Sequence, residues 1–196
     1  MLRCAPEDLK NDPVERCRHT LLRVGKLTTR ILCGIDKSTV FRVRTRLYHG
    51  WTSGTTRTHN RRAFIELEKN YIPDEIFPSE RVLAMNEIEF GDKLIYALPN
   101  RELKGSGIHL PNTLRKQSGN SRPTEKMVDT ALAADLLCWA RDEPTSIALV
   151  LSADDDMIPP TFVAESWMVP YGGSIFLVGR EQRPESKYLK LEGLEH

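Results

Sequence analysis

Hydrophobic and polar residues alternate along this chain with periods that predict helices and strands in turn. A helical period covers residues 13 to 33, with Pro13 near its start and Gly34 as a stop. Residues 39 to 50 are rich in β-branched and aromatic side chains and predict a strand. The pattern then predicts a short helix over residues 59 to 70. Segments 81 to 90 and 93 to 98 lie on either side of Gly91 and Asp92 and predict either an excursion of the chain or a hairpin.

The second half continues the alternation. Residues 126 to 141 have the alanine and leucine content of a packed helix, which begins near Pro123 and Thr124. Residues 147 to 152 are mostly aliphatic, as in a strand buried on both faces of a parallel sheet. A helix over 161 to 168 and a strand over 174 to 178 follow. Together these elements predict an α/β fold with a parallel sheet of four or five strands.

Three consecutive carboxylates, Asp154, Asp155 and Asp156, follow the strand that ends at residue 152. Ligands of open α/β sheets bind beyond the carboxyl ends of the strands, and carboxylate oxygens suit Mg²⁺ or Mn²⁺. Asp129, in the first turn of the preceding helix, can reach the same edge. The sequence leaves two interpretations open: a metal site, or a polar loop in which Asp156 or a neighbour caps the next helix.

Basic residues are concentrated although the net charge is only +1. Residues 42 to 62 contain six arginines and two histidines and no acid, and a second basic stretch runs from 115 to 126. Such a distribution favours contact with a phosphate backbone, and a solvated face is the alternative for any single side chain. The candidates for RNA contact are Arg44, Arg46, Arg61, Arg62 and Lys126, and Tyr48 or Trp51 either stacks on a base or belongs to the core.

Length and composition predict a single domain over residues 1 to 193, with residues 194 to 196 as the remnant of a purification tag. A hydrophobic content of 40% is enough for a core. No run of apolar residues is long enough to span a membrane, so we expect a cytoplasmic protein without a membrane partner. The four cysteines are widely spaced and predict free thiols. The polar, glycine-bearing segment 101 to 122 predicts a substrate flap.

Several short motifs occur in a fixed order between residues 126 and 180: Lys126-Met-Val-Asp129, Leu132-Ala-Ala-Asp135, Leu151-Ser152-Ala-Asp154-Asp155-Asp156, Pro159, and Gly173 to Gly179. In this order they resemble the carboxyl-terminal half of the NYN domain, a LabA-like group of the PIN-like nuclease superfamily. The resemblance implies a PIN-like α/β/α sandwich and a Mg²⁺- or Mn²⁺-dependent endoribonuclease that acts on RNA. It also implies that Asp129, Asp154 and Asp156, with Asp135 as a further candidate, hold the metal. Ser152 would fix the acidic turn by bonding to backbone, and a homo-oligomer is left open.

The beginning of the chain departs from the family pattern. The family opens with a hydrophobic strand ending in an Asp that supplies a central metal ligand, whereas residues 1 to 9 here resemble the loop and helix after such a strand. Asp36 is a candidate substitute ligand, although few residues separate it from the next strand. Either the given sequence begins after that strand or the chain has lost the ligand. Two alternatives to the endoribonuclease stay open: an NYN-like module that lacks this acid and binds RNA or a protein partner, and a metal-dependent phosphatase or another nuclease that uses the same acids.

Overall fold

Helices and parallel strands alternate along most of the chain. The computed structural model describes residues 12–69, 73–115, 123–179 and 194–195. The helices are α1 (Pro13–Ile35), α2 (His59–Glu68), α3 (Pro73–Ile76), α4 (Val128–Asp142) and α5 (Ile158–Met168). The strands are β1 (Phe41–Leu47), β2 (Thr52–Ser53), β3 (Thr56–Arg57), β4 (Val82–Phe90), β5 (Leu114–Arg115), β6 (Thr124–Glu125), β7 (Ile147–Leu151), β8 (Ser174–Val178) and β9 (Leu194–Glu195). No described helix is long and apolar enough to cross a membrane.

The parallel strands form two small sheets. β1 pairs with β4, and β7 pairs with β8, which also pairs with β9. The remaining strands make two short antiparallel pairs, β2 with β3 and β5 with β6. The fold is therefore mixed α/β, as expected. In place of one sheet of four or five strands, the described part of the chain has these separate small sheets.

The start of helix α1 is stabilised by a side-chain cap, and the helix runs through the expected stop at Gly34 to Ile35. Its N-cap is Asp12, whose Oδ1 accepts the Val14 N–H at 2.8 Å, and Pro13 occupies the first turn, where no N–H is needed. Gly25 allows α1 to approach α3, since a Cβ at this position would lie 2.0 Å from the Ile76 carbonyl oxygen. The helix therefore packs tightly across α3.

Two hydrophobic clusters lie on the two sides of β7. The first joins α1 and α2 to the β1–β4 pair and centres on Trp51, whose ring packs edge-on against Phe64 and Phe90. The second lies between α4, α5 and the β7–β8 pair. Side chains of Ile147 and Leu149 pack on the first cluster, and those of the alternate residues of β7 belong to the second. Trp51 is thus a core residue and has no exposed face for base stacking.

Two expectations for the middle of the chain were wrong, the hairpin alternative and the start of α4. Segments 81 to 90 and 93 to 98 make no hairpin, because β4 instead runs parallel to β1 and the Gly91 N–H donates to the Leu47 carbonyl at 2.8 Å. Helix α4 begins at Val128, and the residues after Pro123 form β6. Of the expected flap, residues 116–122 lie outside the described residues, and Leu103 pairs with Ile108 in an isolated bridge.

Candidate metal centre

The acidic turn after β7 is held by its own hydrogen bonds. The Asp154 N–H donates to Ser152 Oγ at 3.1 Å, which is the backbone bond expected of Ser152. The Asp156 N–H donates to Asp154 Oδ1 at 3.0 Å, so Asp154 caps the short 3₁₀ helix Asp155–Met157. Capping and metal binding are compatible at Asp154, because a carboxylate has about four acceptor positions and this bond uses one of them.

Asp129 lies at the same edge, in the first turn of α4. Partial desolvation and then the negative charge of Asp154 raise the pKa of Asp129, with smaller contributions from Glu125 and Asp156. A carboxylate whose pKa rises because of neighbouring carboxylates is under electrostatic repulsion that a cation would relieve. The three predicted ligands therefore border the same edge of the sheet, close enough for their charges to interact.

Although the three carboxylates lie at one edge, they do not form a preformed metal site in the described part of the chain. Within the described ranges, no group of three or more His, Cys, Asp or Glu side chains is arranged to hold a metal ion. The chemistry of the donors nevertheless fits Mg²⁺ or Mn²⁺, because such ions take oxygen ligands and keep several waters when only one or two carboxylates bind them. The edge suits a hydrated ion better than a dehydrated one.

A histidine and a glutamate at this edge were missed by the sequence reasoning. Glu125 Oε1 accepts the Gly50 N–H at 2.6 Å and pairs with His49 Nδ1, while His49 Nε2 lies 2.6 Å from Asn60 Nδ2. Burial acts to raise the pKa of Glu125, but His49 and the Gly50 N–H outweigh it and leave that pKa below its ordinary value. The only sequence signal was an acid next to Lys126, and its partner is 76 positions away in the chain, at His49.

Asp135 is not a metal ligand, which corrects the expectation from the resemblance. Its side chain is 3% exposed, and Oδ2 accepts from Arg46 Nε at 3.0 Å and from the Tyr48 hydroxyl at 2.9 Å. Its Oδ1 accepts the Ile95 N–H at 2.8 Å. Because these donors surround both oxygens, Asp135 serves to join α4 to β1 and to the segment after β4.

The predicted RNA-contacting residues fall into two groups. Arg46 and Arg61 are largely buried: Arg46 pairs with Asp135 and Glu89, and the Arg61 guanidinium lies 3.3 Å from the centre of the Phe90 ring. Both are structural, and their assignment to phosphate contact was wrong. The side chains of Arg44, Arg62 and Lys126 are exposed, and Arg44 lies 3.7 Å from Glu89. These three remain candidates for RNA contact.

Asp36 lies in a different environment from the acidic edge. Its carboxylate accepts hydrogen bonds from the Ser38 and Thr39 backbone and hydroxyl groups in the turn between α1 and β1. These bonds hold the pKa of Asp36 well below its ordinary value. The residue shapes a turn at the amino end of β1 and is no substitute ligand, because the acidic edge lies at the carboxyl ends of the strands.

No known protein family, curated protein or solved structure matches this chain.

Proposed function

We propose that this chain is a Mg²⁺- or Mn²⁺-dependent endoribonuclease of the PIN-like type, with its metal held by Asp129, Asp154 and Asp156. The observation that carries the proposal is the placement of Asp129, Asp154 and Asp156 along one groove at the carboxyl end of β7, where the charge of Asp154 also raises the pKa of Asp129. Sites of open α/β sheets lie at such strand ends. The packing of β7 between two hydrophobic clusters supports the α/β/α arrangement that the proposal includes.

The residues at the acidic edge would have different roles, which follow from their positions. Asp154 is held by the turn, because its N–H and one carboxylate oxygen are engaged within residues 152 to 156. Asp129 lies in the first turn of α4, so the two carboxylates belong to different elements that border the same groove. A bound divalent ion would polarise the scissile phosphate and lower the pKa of a coordinated water. Lys126, three residues before Asp129 and exposed, would draw the RNA backbone towards these acids.

A second candidate function is a module that binds RNA or a protein partner without cleaving. It is favoured by the lack of a preformed group of three ligands among the described residues. In that case the exposed Arg44, Arg62 and Lys126 would contact phosphates, and the acids would serve only to shape the turn and the start of α4. RNA binding alone does not separate the two candidates, so the decisive measurement is cleavage.

The test compares cleavage of a single-stranded RNA with Mn²⁺ by the parent protein and by Asp154→Asn. Asn keeps the size of the side chain and its acceptor oxygen for the Asp156 N–H, and it removes the charge. The matched control is Glu80→Gln, which makes the same charge change at an exposed loop position. We expect slow cleavage by the parent and by the control, and none by Asp154→Asn.

Equal cleavage by Asp154→Asn and the parent would contradict the enzyme proposal at this edge. No metal-dependent cleavage by any of the three proteins, together with retained RNA binding, would favour the binding module.

A further inference from the structure

A groove runs between β1 and β7. It is bordered by every residue from 39 to 49 and by every residue from 145 to 156. A groove across the face of a strand would meet only every second side chain, because successive side chains point to opposite faces. Contact with consecutive residues of both strands therefore means that the groove follows their edges.

The edge of β1 that borders the groove has backbone groups with no strand partner among the described residues. Within the described part of the chain, β1 pairs with β4 alone. The Phe41 N–H donates to the Arg81 carbonyl and the Leu47 carbonyl accepts from Gly91, both on the β4 side. In a parallel strand the N–H and C=O of one residue point to one side and those of the next residue to the other. Arg42 therefore directs its N–H and C=O towards the groove.

The facing edge of β7 likewise has no strand partner among the described residues, where β7 pairs with β8 alone. The Ser146 carbonyl accepts from the Ser174 N–H at 3.1 Å, which places the backbone of Ser146 on the β8 side. By the same alternation, Ile147 and Leu149 direct their N–H and C=O groups towards the groove. Both sides of the groove thus offer rows of donors and acceptors at strand spacing.

The two edges run in the same direction. His49 lies just beyond the carboxyl end of β1 and pairs with Glu125. Asp154 lies just beyond the carboxyl end of β7, and it is close enough to Asp129 for its charge, like that of Glu125, to raise the pKa of Asp129. The carboxyl ends of both strands therefore meet at the acidic edge. A strand that bonded to both would have to be parallel to both.

The residues that border the groove also indicate what kind of side chains such a strand would carry. On one side it is bordered by apolar residues of α1, such as Val24 and Leu32, and on the other by apolar residues of α4, such as Leu132 and Leu136. A strand between them would meet apolar surface on both faces, as central strands of parallel sheets do.

Acidic residues at the two ends of the groove indicate which residues would suit the ends of the bound strand. At the amino end of β7 the groove is bordered by Asp142 and Glu143, and at the carboxyl end by Asp129, Asp154 and Asp156. Acids at both mouths of the groove favour basic residues at both ends of whatever lies in it.

We propose that the groove binds an extended strand of another polypeptide, apolar on both faces and basic at both ends, which adds in parallel between β1 and β7. Its length would be five to seven residues, the lengths of β7 and β1. Binding of this kind takes its affinity from backbone hydrogen bonds and its specificity from the side-chain pockets. It would join the β1–β4 and β7–β8 pairs into one sheet.

The probe is a fluorescein-labelled peptide, Lys-Val-Ile-Val-Leu-Val-Lys, titrated with the full 196-residue chain and followed by anisotropy. We expect saturable binding by the parent and by Arg42→Ala, which keeps the N–H facing the groove. Arg42→Pro removes that N–H without touching the bonds to β4, and it should bind about tenfold more weakly. The same peptide with N-methyl groups on alternate residues should not bind.

Hydrogen exchange on the unmodified protein gives a second readout that needs no variant. The peptide should slow exchange at the amides of Arg42 and Leu149. The proposal is overturned by equal binding to Arg42→Pro and Arg42→Ala, by absence of binding to the parent, or by protection of these amides before peptide is added. In the last case, light scattering identifies what occupies the groove. A doubled mass would show that it is a second copy of the chain, and an unchanged mass would show that it is a segment of the same chain.

Discussion

The Arg46 guanidinium and the Asp135 carboxylate form a buried ion pair, with Nη2 2.9 Å from Oδ2, that ties β1 to α4. Removing Asp135 would leave Arg46 paired with the more exposed Glu89, and the Tyr48 hydroxyl and the Ile95 N–H would lose their acceptor in the interior. Asp135→Ala should therefore lower the free energy of unfolding by about 3 to 5 kcal/mol, measured by urea denaturation. The matched control is Asp142→Ala at the exposed end of the same helix, which should cost far less stability. Similar losses in the two variants would show that the Arg46 pair is not the main support of this contact.

Asp129 should make stability depend on pH in a direction unusual for an aspartate. Because desolvation and the charge of Asp154 raise its pKa, the folded protein binds this proton more tightly than the unfolded chain does. The group therefore favours the fold below the ordinary Asp pKa of about 3.9 and opposes it as pH rises through the raised pKa. Asp129→Asn should raise the denaturation midpoint at pH 7 in metal-free buffer.

The gain from Asp129→Asn should be below about 1 kcal/mol, since the side chain is exposed, and it should vanish near pH 3. Urea midpoints of both proteins at the two pH values measure it. A loss of stability at pH 7 would mean that Asp129 is stabilised at this edge and not repelled.

Glu125 should show the opposite dependence. His49 and the Gly50 N–H hold its pKa below the ordinary value, so its contribution is present above about pH 4.3 and is lost as pH falls through the lowered pKa. Glu125→Gln should be less stable than the parent by about 1 kcal/mol at pH 6, and the gap should close towards pH 3. A gap of constant size would point to packing and not to the His49 pair.

Arg61 and Arg62 are neighbours in sequence that should behave differently. Arg61 is buried against the Phe90 ring, so Arg61→Ala should lower the free energy of unfolding by about 1 to 3 kcal/mol. Arg62 is exposed, so Arg62→Ala should change stability by less than about 0.5 kcal/mol. If Arg62 contacts phosphate, the same change should reduce the salt dependence of RNA binding, measured by filter binding at several salt concentrations. An unchanged slope would remove Arg62 from the RNA surface.

Elements with a strong local signal were predicted well from sequence. The aliphatic run at β7 and the strand β8 lie where the pattern put them, as does the alanine-rich α4 apart from its first residues. Local patterns could not show which of two similar charged side chains is buried. Arg44 and Arg46 lie on the same face of β1, but only Arg46 meets α4, because that contact depends on how the helix crosses the strand.

The acidic edge also shows that local sequence patterns do not reveal which residues meet in the fold. Asp129 and Asp135 both lie on α4, and the motif that suggested both as ligands is local. Their separation into an edge residue and a buried ion-pair partner follows from the position of β1 beside the helix. The pairing of His49 with Glu125 likewise depends on a contact between distant parts of the chain, which spacing does not reveal.

The most direct test of the central claim is a Mn²⁺ titration followed by the electron paramagnetic resonance signal of the free ion. Asp129, Asp154 and Asp156 should bind Mn²⁺ measurably but weakly, since water would supply most of the ligands. The parent and Glu80→Gln should therefore reduce the free signal equally, and Asp129→Asn and Asp154→Asn should each remove the binding. Equal binding by the parent and by the double variant Asp129→Asn, Asp154→Asn would contradict a metal site at this edge.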